Sequence, residues 1–264
     1  MSMSRNPVAK ISQNVATVCV SIVSHGHGTM VSRLLAELLQ CHEVGQIVLT
    51  LNVPERLTLP DDSRIQVVEN SQRKGFGANH NAAFSKCQCA FFCVLNPDIE
   101  LSSNPFPELL SAFDMQEAAM VAPLVVSPKG FVEDSIRYFP RPLAIWSKFL
   151  FGSEGRYSTV LGQENFCPEW CAGMFMLFRS DSFGRLDGFD EGYFLYYEDV
   201  DICVRIWKLG MSVVACPKVS VVHDARRDSR RSLRHLRWHI ASMMRFFAKH
   251  WLRLPKVSKR PGSE

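Results

Sequence analysis

The chain lacks the features that mark membrane-spanning, secreted and zinc-binding proteins. None of its apolar segments approaches the ~18 consecutive residues that a transmembrane helix needs. Residues 1–14 are polar and contain no apolar run of the kind found in secretory signal peptides. No two cysteines have the CxxC spacing that is common in structural zinc sites. These absences predict a cytoplasmic protein, either soluble or peripherally attached to the inner face of a membrane.

The cysteines and the overall composition indicate a reduced, globular protein. The nine cysteines are an odd number, and most of them lie in apolar segments. Buried thiols explain this distribution better than a disulfide framework does. With 47% hydrophobic and 21% charged residues, the chain can bury one sizeable core.

Charge is unevenly distributed along the chain. From Arg226 to the last residue there are 12 Lys and Arg residues and two acidic ones, whereas the whole chain has 30 basic and 26 acidic residues. The part before Arg226 is therefore net negative. A basic segment of this kind predicts an anionic partner, which is a phosphate group, a membrane surface or a nucleic acid.

Apolar, strand-like segments alternate with helical patterns in the first half of the chain. After the first segment, Thr29 is placed to cap a helix whose leucines recur at a spacing of 3.6 residues. This alternation predicts an α/β fold with a Rossmann-like, mostly parallel central sheet flanked by helices, which binds ligands at the carboxyl ends of its strands. Strands are predicted at residues 15–23, 46–51, 64–68 and 90–95, and a second helix at 77–86.

The second half is less regular. Residues 126–169 are rich in Pro, Gly and charge, which predicts loops and short elements over the site. A strand is predicted at 174–178, a helix at 200–209 that ends at Gly210, and short strands at 211–215 and 219–222. Residues 232–252 have a helical pattern of aromatic residues, methionines and basic residues. This helix could pack on the core, lie on an anionic bilayer, or do both.

Five acidic residues lie among aromatic ones between Gly188 and Asp201. Carboxylates beside buried rings are costly unless they are paired, protonated or bound to a cation. Glu198, Asp199 and Asp201 also fall at the predicted start of a helix, where they could serve only as caps. The alternative is a catalytic site, because the like charges of Glu198 and Asp199 would push one of them towards protonation.

Two earlier motifs lie where a nucleotide-binding sheet would contact its ligand. Gly75 and Gly77 precede a helix, and they allow either a close approach of the backbone to phosphate or only a tight turn. Asp98 follows a buried strand, where it could hold Mg²⁺ or Mn²⁺ against a diphosphate or simply belong to an Asn-Pro-Asp turn. The residues alone leave both alternatives open.

Six motifs, taken in order, resemble family 2 glycosyltransferases, and within that family the bacterial rhamnosyltransferase-like members. They extend over about residues 15–250, which is almost the whole chain. The resemblance implies a GT-A fold, a nucleotide-sugar donor, a divalent cation (Mg²⁺ or Mn²⁺) and inverting transfer. The motifs are SHG after the first strand, GFGANHN, LNPD, WCAGMFMLFR, LDGFDEGYFLYYEDVDICVRIWKLG and VVHDARRDSRR.

The resemblance also implies roles for four charged residues. Asp199 matches the general base of the family, and Glu198 is its partner in the catalytic pair. Asp98 matches the acid that binds the metal and the donor diphosphate. His223 matches a histidine that completes the metal site in some relatives.

Further positions are implied for the two substrates. Trp170, Ala172 and Gly173 match the segment that lines the pocket for the sugar and the acceptor. Thr50-Leu51-Asn52 stands where many relatives have an aspartate that reads the nucleobase, so the base of the donor stays open. Donor-binding residues are expected at Ser24, Gly75, Gly77, Asn81, Asn96, Asp98, Arg226 and Arg227.

We therefore expect a flexible N-terminus (1–14), a GT-A domain (15–225) and a basic helical C-terminal extension (226–264). The nucleotide-sugar half of the domain is expected at about 15–125 and the acceptor half at about 126–225. The expected reaction is inverting transfer of a sugar, L-rhamnose being the one we expect, from a dTDP- or UDP-linked donor to a cell-envelope glycan or lipid-linked acceptor.

Two other functions stay open at this point. A sugar nucleotidyltransferase would release pyrophosphate instead of a nucleoside diphosphate. A basic-tailed nucleic-acid-binding protein is permitted by the tail, but the acidic body of the chain does not suggest it, and we expect no nucleic acid. The sequence does not determine the oligomeric state.

Overall fold

Strands and helices alternate regularly in the first half of the chain and less regularly in the second. The structure is a computed structural model that describes residues 17–115, 117–141, 155–224, 233–250 and 253–257. The strands are β1 Val18–Ser24, β2 Val44–Leu51, β3 Ile65–Glu69, β4 Phe91–Leu95, β5 Ile99–Glu100, β6 Ala118–Val126, β7 Ile136–Arg137, β8 Trp170–Cys171, β9 Phe175–Arg179 and β10 Ser212–His223. The α-helices are α1 Thr29–Leu39, α2 Phe76–Phe84, α3 Phe106–Ser111, α4 Ser180–Arg185, α5 Glu198–Lys208 and α6 Leu233–His250.

Eight of these strands form one sheet in the order β3-β2-β1-β4-β9-β6-β10-β5. Strands β3, β2, β1 and β4 are parallel to one another, and β6 is parallel to β10. Strand β9 runs antiparallel between β4 and β6, and β5 runs antiparallel to β10. The predicted mostly parallel sheet is confirmed, and β9 joins its two parallel parts. Strands β7 and β8 pair separately.

The apolar pattern of the strands explains why the sheet is covered on both faces. Every residue of β1 and β4 is buried, as expected for parallel strands between helices. Cys19 belongs to one apolar cluster and its neighbours Val18 and Val20 to the other, because successive side chains of a strand point to opposite faces. All nine cysteines are free thiols and six are buried, which confirms the prediction from composition.

The start of α1 and the strand around Pro217 differ from the sequence-based expectation, and the central strand β6 was not predicted. Thr29 is the first residue of α1 and not its cap; Gly28 holds the cap position with a φ of 60° and no side-chain hydrogen bond. The two short strands predicted around Pro217 are one strand, β10, whose register shifts between Cys216 and Ser220. Proline has no N–H for the ladder, so the strand continues past it with an irregularity instead of ending.

Helix α6 is joined to the rest of the fold through its buried side chains Ser242, Phe246 and His250. Within the described parts of the chain, no helix combines the length and the apolar content that a bilayer crossing requires. The predicted N-terminal segment 1–14 and the arginines at 226, 227, 230 and 231 lie outside the described residues.

Candidate active site

A cavity of about 790 Å³ opens at the carboxyl ends of β1 and β4. Ligands of open α/β sheets bind at this edge, because the strand ends and the following loops meet there. Seven residues with a role predicted from the sequence lie in its wall. They are Asn96, Asp98, Trp170, Ala172, Gly173, Glu198 and Asp199.

Asp199 is held at one wall of the cavity by two backbone donors. Its Oδ2 accepts the Gly173 N–H at 3.0 Å, and its Oδ1 accepts the Val200 N–H at 2.8 Å. A Cβ atom at residue 173 would lie 3.3 Å from Phe76 Cζ and 3.5 Å from Asp199 Cβ, so glycine allows this close approach. Burial raises the pKa of Asp199, whereas the two N–H groups lower it.

Glu198 differs from Asp199 in its surroundings. It is buried, and its Oε2 has no hydrogen-bond partner among the described residues. Burial, together with the charge of Asp199, raises the pKa of Glu198 to about 8. Burial and like charge disfavour ionisation of both carboxylates, so the fold favours a pair that shares one proton.

The backbone just before this pair is strained. Tyr196 and Tyr197 have φ angles of 72° and 68°, in the left-handed region that non-glycine residues avoid. The Tyr196 hydroxyl is 2.9 Å from His235 Nδ1, and the Tyr197 ring lies 5.4 Å from that of His239. Because such strain persists only where the surroundings impose it, the contacts of α6 help to hold the segment that leads to Asp199.

Asp98 lies at a second wall, in the turn between β4 and β5. The pairing of β5 with β10 brings His223 beside it, with His223 Nε2 at 3.3 Å from Asp98 Oδ2. The other ring nitrogen, Nδ1, is 2.7 Å from Glu133 Oε2. The second carboxylate oxygen of Asp98, Oδ1, is buried and has no hydrogen-bond partner among the described residues.

The unpartnered Asp98 oxygen is the feature that fits a divalent cation. In the described parts of the chain, no three His, Cys, Asp or Glu side chains are grouped so as to hold a metal by themselves. Asp98 alone therefore fits a cation whose remaining ligands are diphosphate oxygens or water, as Mg²⁺ sites often have.

The predicted role of His223 as a metal ligand meets a specific obstacle. Burial lowers the pKa of His223, but the hydrogen bonds and charges of Asp98 and Glu133 outweigh it and raise the pKa to about 9. A protonated imidazole cannot ligate a metal. His223 would have to lose its proton when the cation binds, so its role as a ligand stays a prediction.

Gly75 and Gly77, which we expected to contact the donor, lie outside the lining of the cavity. A Cβ atom on Gly75 would lie 2.7 Å from the carbonyl oxygen of Phe194, and one on Gly77 would lie 2.7 Å from Phe189 Cβ. Glycine is required here because α2 packs directly on the loop before α5. The close approach that these glycines allow is to protein backbone and side chain, and their predicted contact with the donor stays a prediction.

Asn81 and Ser24 also support loops. The Asn81 side chain donates to the Phe189 carbonyl and accepts the Phe189 N–H, both at 2.9 Å. The buried Ser24 hydroxyl donates to the carboxylate of Glu55, which also accepts the Gly26 N–H. Neither side chain lies in the lining of the cavity, so any effect on the donor would be through these loops.

Sequence reasoning missed two basic residues that line the cavity. Arg73 and Lys74 are in the wall, directly before Gly75. Asn52, which replaces the expected aspartate, accepts the Lys74 N–H and donates to the Lys74 carbonyl, both at 2.9 Å. Arg73 and Lys74 could have been predicted from the QRKGFG stretch, because basic side chains beside a predicted phosphate-binding turn suit a diphosphate.

A buried network around Asp201 joins α5 to α6. Its carboxylate is within 2.7 Å of Arg205 Nε, 2.8 Å of His250 Nε2 and 2.7 Å of Lys249 Nζ. Burial opposes the charge on Asp201, but the hydrogen bond from His250 and the charges of Arg205 and Lys249 outweigh burial and lower its pKa. Asp190 makes similar, more exposed ion pairs with Arg245 and Lys249. Two of the five acids among the aromatic residues, Asp190 and Asp201, are thus paired with cations, whereas Asp199 accepts backbone N–H groups.

The sequence analysis also did not assign α6 to the cavity wall. Four of its side chains line the cavity, and Trp238 packs on Phe194 with 4.7 Å between ring centroids. Their spacing follows one side of a helix, which was the available signal. The four residues are His235, Trp238, His239 and Met243.

The profile of the family named Glycosyl transferase family 2 matches residues 50–181, which is half of the chain. The chain belongs to this family. The matched segment includes Asp98 and Gly173, whereas Asp199 follows it. Two relatives with similar sequences are named as rhamnosyltransferases.

One relative is the rhamnosyltransferase WbbL of Escherichia coli (strain K12), which is 28% identical over 251 residues. The match covers 88% of this chain and 93% of the relative. The other is the N-acetylglucosaminyl-diphospho-decaprenol L-rhamnosyltransferase of Mycobacterium tuberculosis, 33% identical over 175 residues. This second match covers 61% of this chain and 57% of the relative.

Solved structures show the fold of the family. GalNAc-T7 with UDP, GalNAc and Mn²⁺ has a TM-score of 0.61 at 16% identity, and the match covers 82% of this chain and 45% of that one. The mannosyltransferase PcManGT from Pyrobaculum calidifontis, with GDP-Man and Mn²⁺, has a TM-score of 0.56 at 14% identity over 93% and 66%. The predicted GT-A fold is confirmed.

Together these matches show a glycosyltransferase that takes its sugar from a nucleotide-sugar donor. They do not favour the nucleotidyltransferase or the nucleic-acid-binding alternative. Arg226 and Arg227, two of the predicted donor-binding residues, lie outside the described residues.

Proposed function

We propose that this enzyme transfers L-rhamnose, with inversion, from a dTDP- or UDP-linked donor to a cell-envelope glycan or its lipid-linked precursor. The names of the two relatives support rhamnose as the sugar, and the mycobacterial name supports a lipid diphosphate-linked acceptor. The observation that carries the proposed chemistry is the position of the Asp199 carboxylate, which two backbone N–H groups hold in the cavity wall.

Asp199 is the proposed general base. In inverting transfer, the acceptor hydroxyl oxygen forms a bond to the anomeric carbon while the bond from that carbon to the diphosphate oxygen breaks. Asp199 takes the hydroxyl proton, and its place beside Gly173 keeps it aimed into the cavity. We assign the shared proton of the pair to Glu198, so that Asp199 is the base. Trp170 and Ala172, in the same wall, are proposed to line the acceptor and sugar pocket.

The donor end of the cavity carries the groups that suit a departing nucleoside diphosphate. Arg73 and Lys74 are placed there to neutralise phosphate charge, and Asn96 lies in the adjoining wall. Asp98 would hold the divalent cation, with His223 beside it. When bound, such a cation supplies charge neutralisation at the leaving diphosphate. The choice between Mg²⁺ and Mn²⁺ is left to experiment.

The proposed location is the cytoplasm, at the inner face of a membrane, where a nucleotide-sugar and a lipid-linked acceptor are both accessible. The acceptor then reaches the enzyme from the bilayer and the donor from solution.

A donor screen by titration calorimetry tests the proposal. UDP-, dTDP- and GDP-sugars are each titrated into the protein with Mn²⁺, with Mg²⁺ and with EDTA. We expect binding of dTDP- or UDP-rhamnose that requires the cation. Metal-independent binding, or binding of GDP-sugars alone, would contradict the proposed donor.

Asp98→Ala tests the proposed cation site. The variant should bind the donor at least ~10-fold more weakly in Mn²⁺, because it lacks the carboxylate oxygen that would bind the cation. Its donor affinity should be the same in Mn²⁺ and in EDTA. Glu100→Ala, two residues away and outside the cavity wall, is the matched control and should bind like the wild type. Unchanged metal dependence in Asp98→Ala would remove Asp98 from the cation site.

A further inference from the structure

Helix α6 has an exposed apolar stripe on the side away from the core. Four large side chains spaced by three or four residues form it, so they lie on one face of the helix. Their exposed fractions are 79% for Leu233, 55% for Leu236, 47% for Ile240 and 62% for Met244. Single exposed apolar residues are common, but four in register over three turns are the pattern of a surface that is covered in use.

The charges beside the stripe indicate what covers it. Arg234 and Arg237 are both exposed and, by helical periodicity, lie along one edge of the stripe. The sequence of α6 contains no acidic residue. Arg245 and Lys249 are used in pairs with Asp190, which leaves the arginines of the first turns to face outwards. An apolar face bordered by arginine is complementary to anionic phospholipid, with its acyl chains below its phosphates.

Helix α6 borders the cavity as well as the outer surface of the protein. His235, Trp238, His239 and Met243 of α6 line the cavity, while the stripe beside them faces outwards. The helix has 18 residues, a length of about 27 Å at 1.5 Å per residue. The same short helix is therefore both a wall of the catalytic cavity and an outer surface.

We propose that the stripe of Leu233, Leu236, Ile240 and Met244 lies in the headgroup region of an anionic bilayer, parallel to its surface. Docking in this way places the cavity wall formed by α6 directly above the bilayer, where a lipid diphosphate-linked acceptor enters. This inference rests on the proposed function for the identity of the acceptor, but the docking itself depends only on the surface of α6.

A second copy of the chain is the competing occupant of the stripe. Two such faces would bring the edge arginines of one helix close to those of the other, unless the helices met in an arrangement that separates them. Like charges across an interface are unfavourable, whereas phospholipid phosphates would neutralise them. The bilayer is therefore the partner that satisfies both the apolar stripe and its arginines.

Vesicle flotation with the full chain tests the docking. The vesicles are phosphatidylcholine alone, or phosphatidylcholine with one-quarter phosphatidylglycerol. The variant Leu236→Gln/Ile240→Gln should partition about tenfold less onto the anionic vesicles, because it loses two apolar side chains from the docked face. The matched control is Val160→Gln/Leu161→Gln, which removes two equally exposed apolar side chains elsewhere and should float like the wild type.

Arg234→Gln/Arg237→Gln tests the electrostatic part. We expect it to weaken binding to the anionic vesicles by about tenfold, and to leave the weak binding to pure phosphatidylcholine unchanged. Loss of membrane binding in the control variant as well, or flotation of all variants alike, would overturn the proposal.

Two further measurements separate this inference from the proposed function. Donor binding by calorimetry and the melting temperature should be unchanged in Leu236→Gln/Ile240→Gln, because these side chains lie outside the cavity wall. If light scattering shows a wild-type dimer that this variant dissociates, the stripe is an interface between copies and the docking proposal is wrong. If the wild type binds vesicles but no donor, the docking stands and the proposed function fails.

Discussion

Asp199 and Asp201 lie two residues apart on α5, yet they meet different kinds of partner. Asp199 is bonded to backbone N–H groups in the cavity wall, and burial raises its pKa. Asp201 is fully buried, lies among Arg205, Lys249 and His250, and has a lowered pKa. The comparison shows that position in a motif does not decide what a carboxylate does.

The reason is the formal charge of the partners. Backbone donors orient a carboxylate without cancelling its charge, so Asp199 stays able to take a proton. Cationic partners neutralise the charge of a carboxylate and give it a structural role. An ion pair of this kind ties elements together, here α5 to α6, and provides no base.

Asp199→Asn should have the largest effect and would sharpen the contrast. We expect kcat to fall by about 10²–10⁴-fold, because the amide cannot accept the acceptor proton. Donor binding by calorimetry should be retained, and the melting temperature should change only by the loss of one of the two backbone hydrogen bonds, because the amide has a single acceptor oxygen. Nucleoside diphosphate release by stopped-time assay measures the loss, and turnover like that of the wild type would remove Asp199 from the role of base.

Asp201→Asn should affect stability instead. Loss of the charge leaves Arg205 without its buried counter-charge and leaves Lys249 with Asp190 alone, and breaking a buried pair on one side costs about 3–5 kcal/mol. Urea denaturation should show this fall in the free energy of unfolding, with donor affinity retained by the folded fraction. A loss below ~1 kcal/mol, as for a surface pair, would show that the network does not hold α6.

Glu198→Gln tests the protonated member of the pair through pH. The pKa of Glu198 is raised from 4.5 to about 8, so the fold favours its protonated form. Its favourable contribution is then fully present below pH 4.5 and is lost as pH rises towards 8. The glutamine variant has no such loss, so its free energy of unfolding relative to the wild type should rise by at least ~1 kcal/mol between pH 5 and pH 8.

Urea denaturation at the two pH values measures this change, with the Asp199→Asn variant as a control for the coupling of the pair. An unchanged difference between Glu198→Gln and the wild type would mean that Glu198 is already ionised at pH 5, and that the proton does not reside there.

Arg245→Gln should have the smallest effect. Arg245 is about half exposed, and Asp190 keeps its contact with Lys249 in the variant. The free energy of unfolding should fall by less than ~1 kcal/mol, as measured by urea denaturation. If the free energy of unfolding fell as much as in Asp201→Asn, the exposed ion pairs of α6 would stabilise the fold as strongly as the buried ones, contrary to our expectation.

Much of the donor half was predictable because its determinants are local. The apolar runs of β1 and β4 define strands covered on both faces, and the alternation with α1 and α2 defines parallel pairing. Asp98, directly after β4, had to lie at the ligand edge of such a sheet. The resemblance of the motifs then pointed to Asp199 in the same cavity, where the structure places it.

The remaining features depend on contacts between residues far apart in sequence. The sequence around Gly75 and Gly77 predicts contact with phosphate. In the structure both glycines lie against Phe194 and Phe189, more than a hundred residues later in the chain. The basic residues of α6 predict binding to a membrane or to phosphate. Two of them, Arg245 and Lys249, instead pair with acidic residues of the loop before α5 and of α5 itself. A local pattern cannot identify a partner that only folding brings near.

The sequence by itself determined strands β1 to β4 and β9, helices α1, α2 and α5, and the presence of an acid after β4 and an acid pair at the start of α5, whereas the central strand β6 was not predicted. Only the tertiary structure decided which acid is bonded to backbone N–H groups in the cavity wall, which is paired with cations, and which face of α6 lies outside. Periodicity and composition act on neighbours along the chain, whereas protonation and ion pairing depend on distances of a few ångströms between elements that the fold alone brings together.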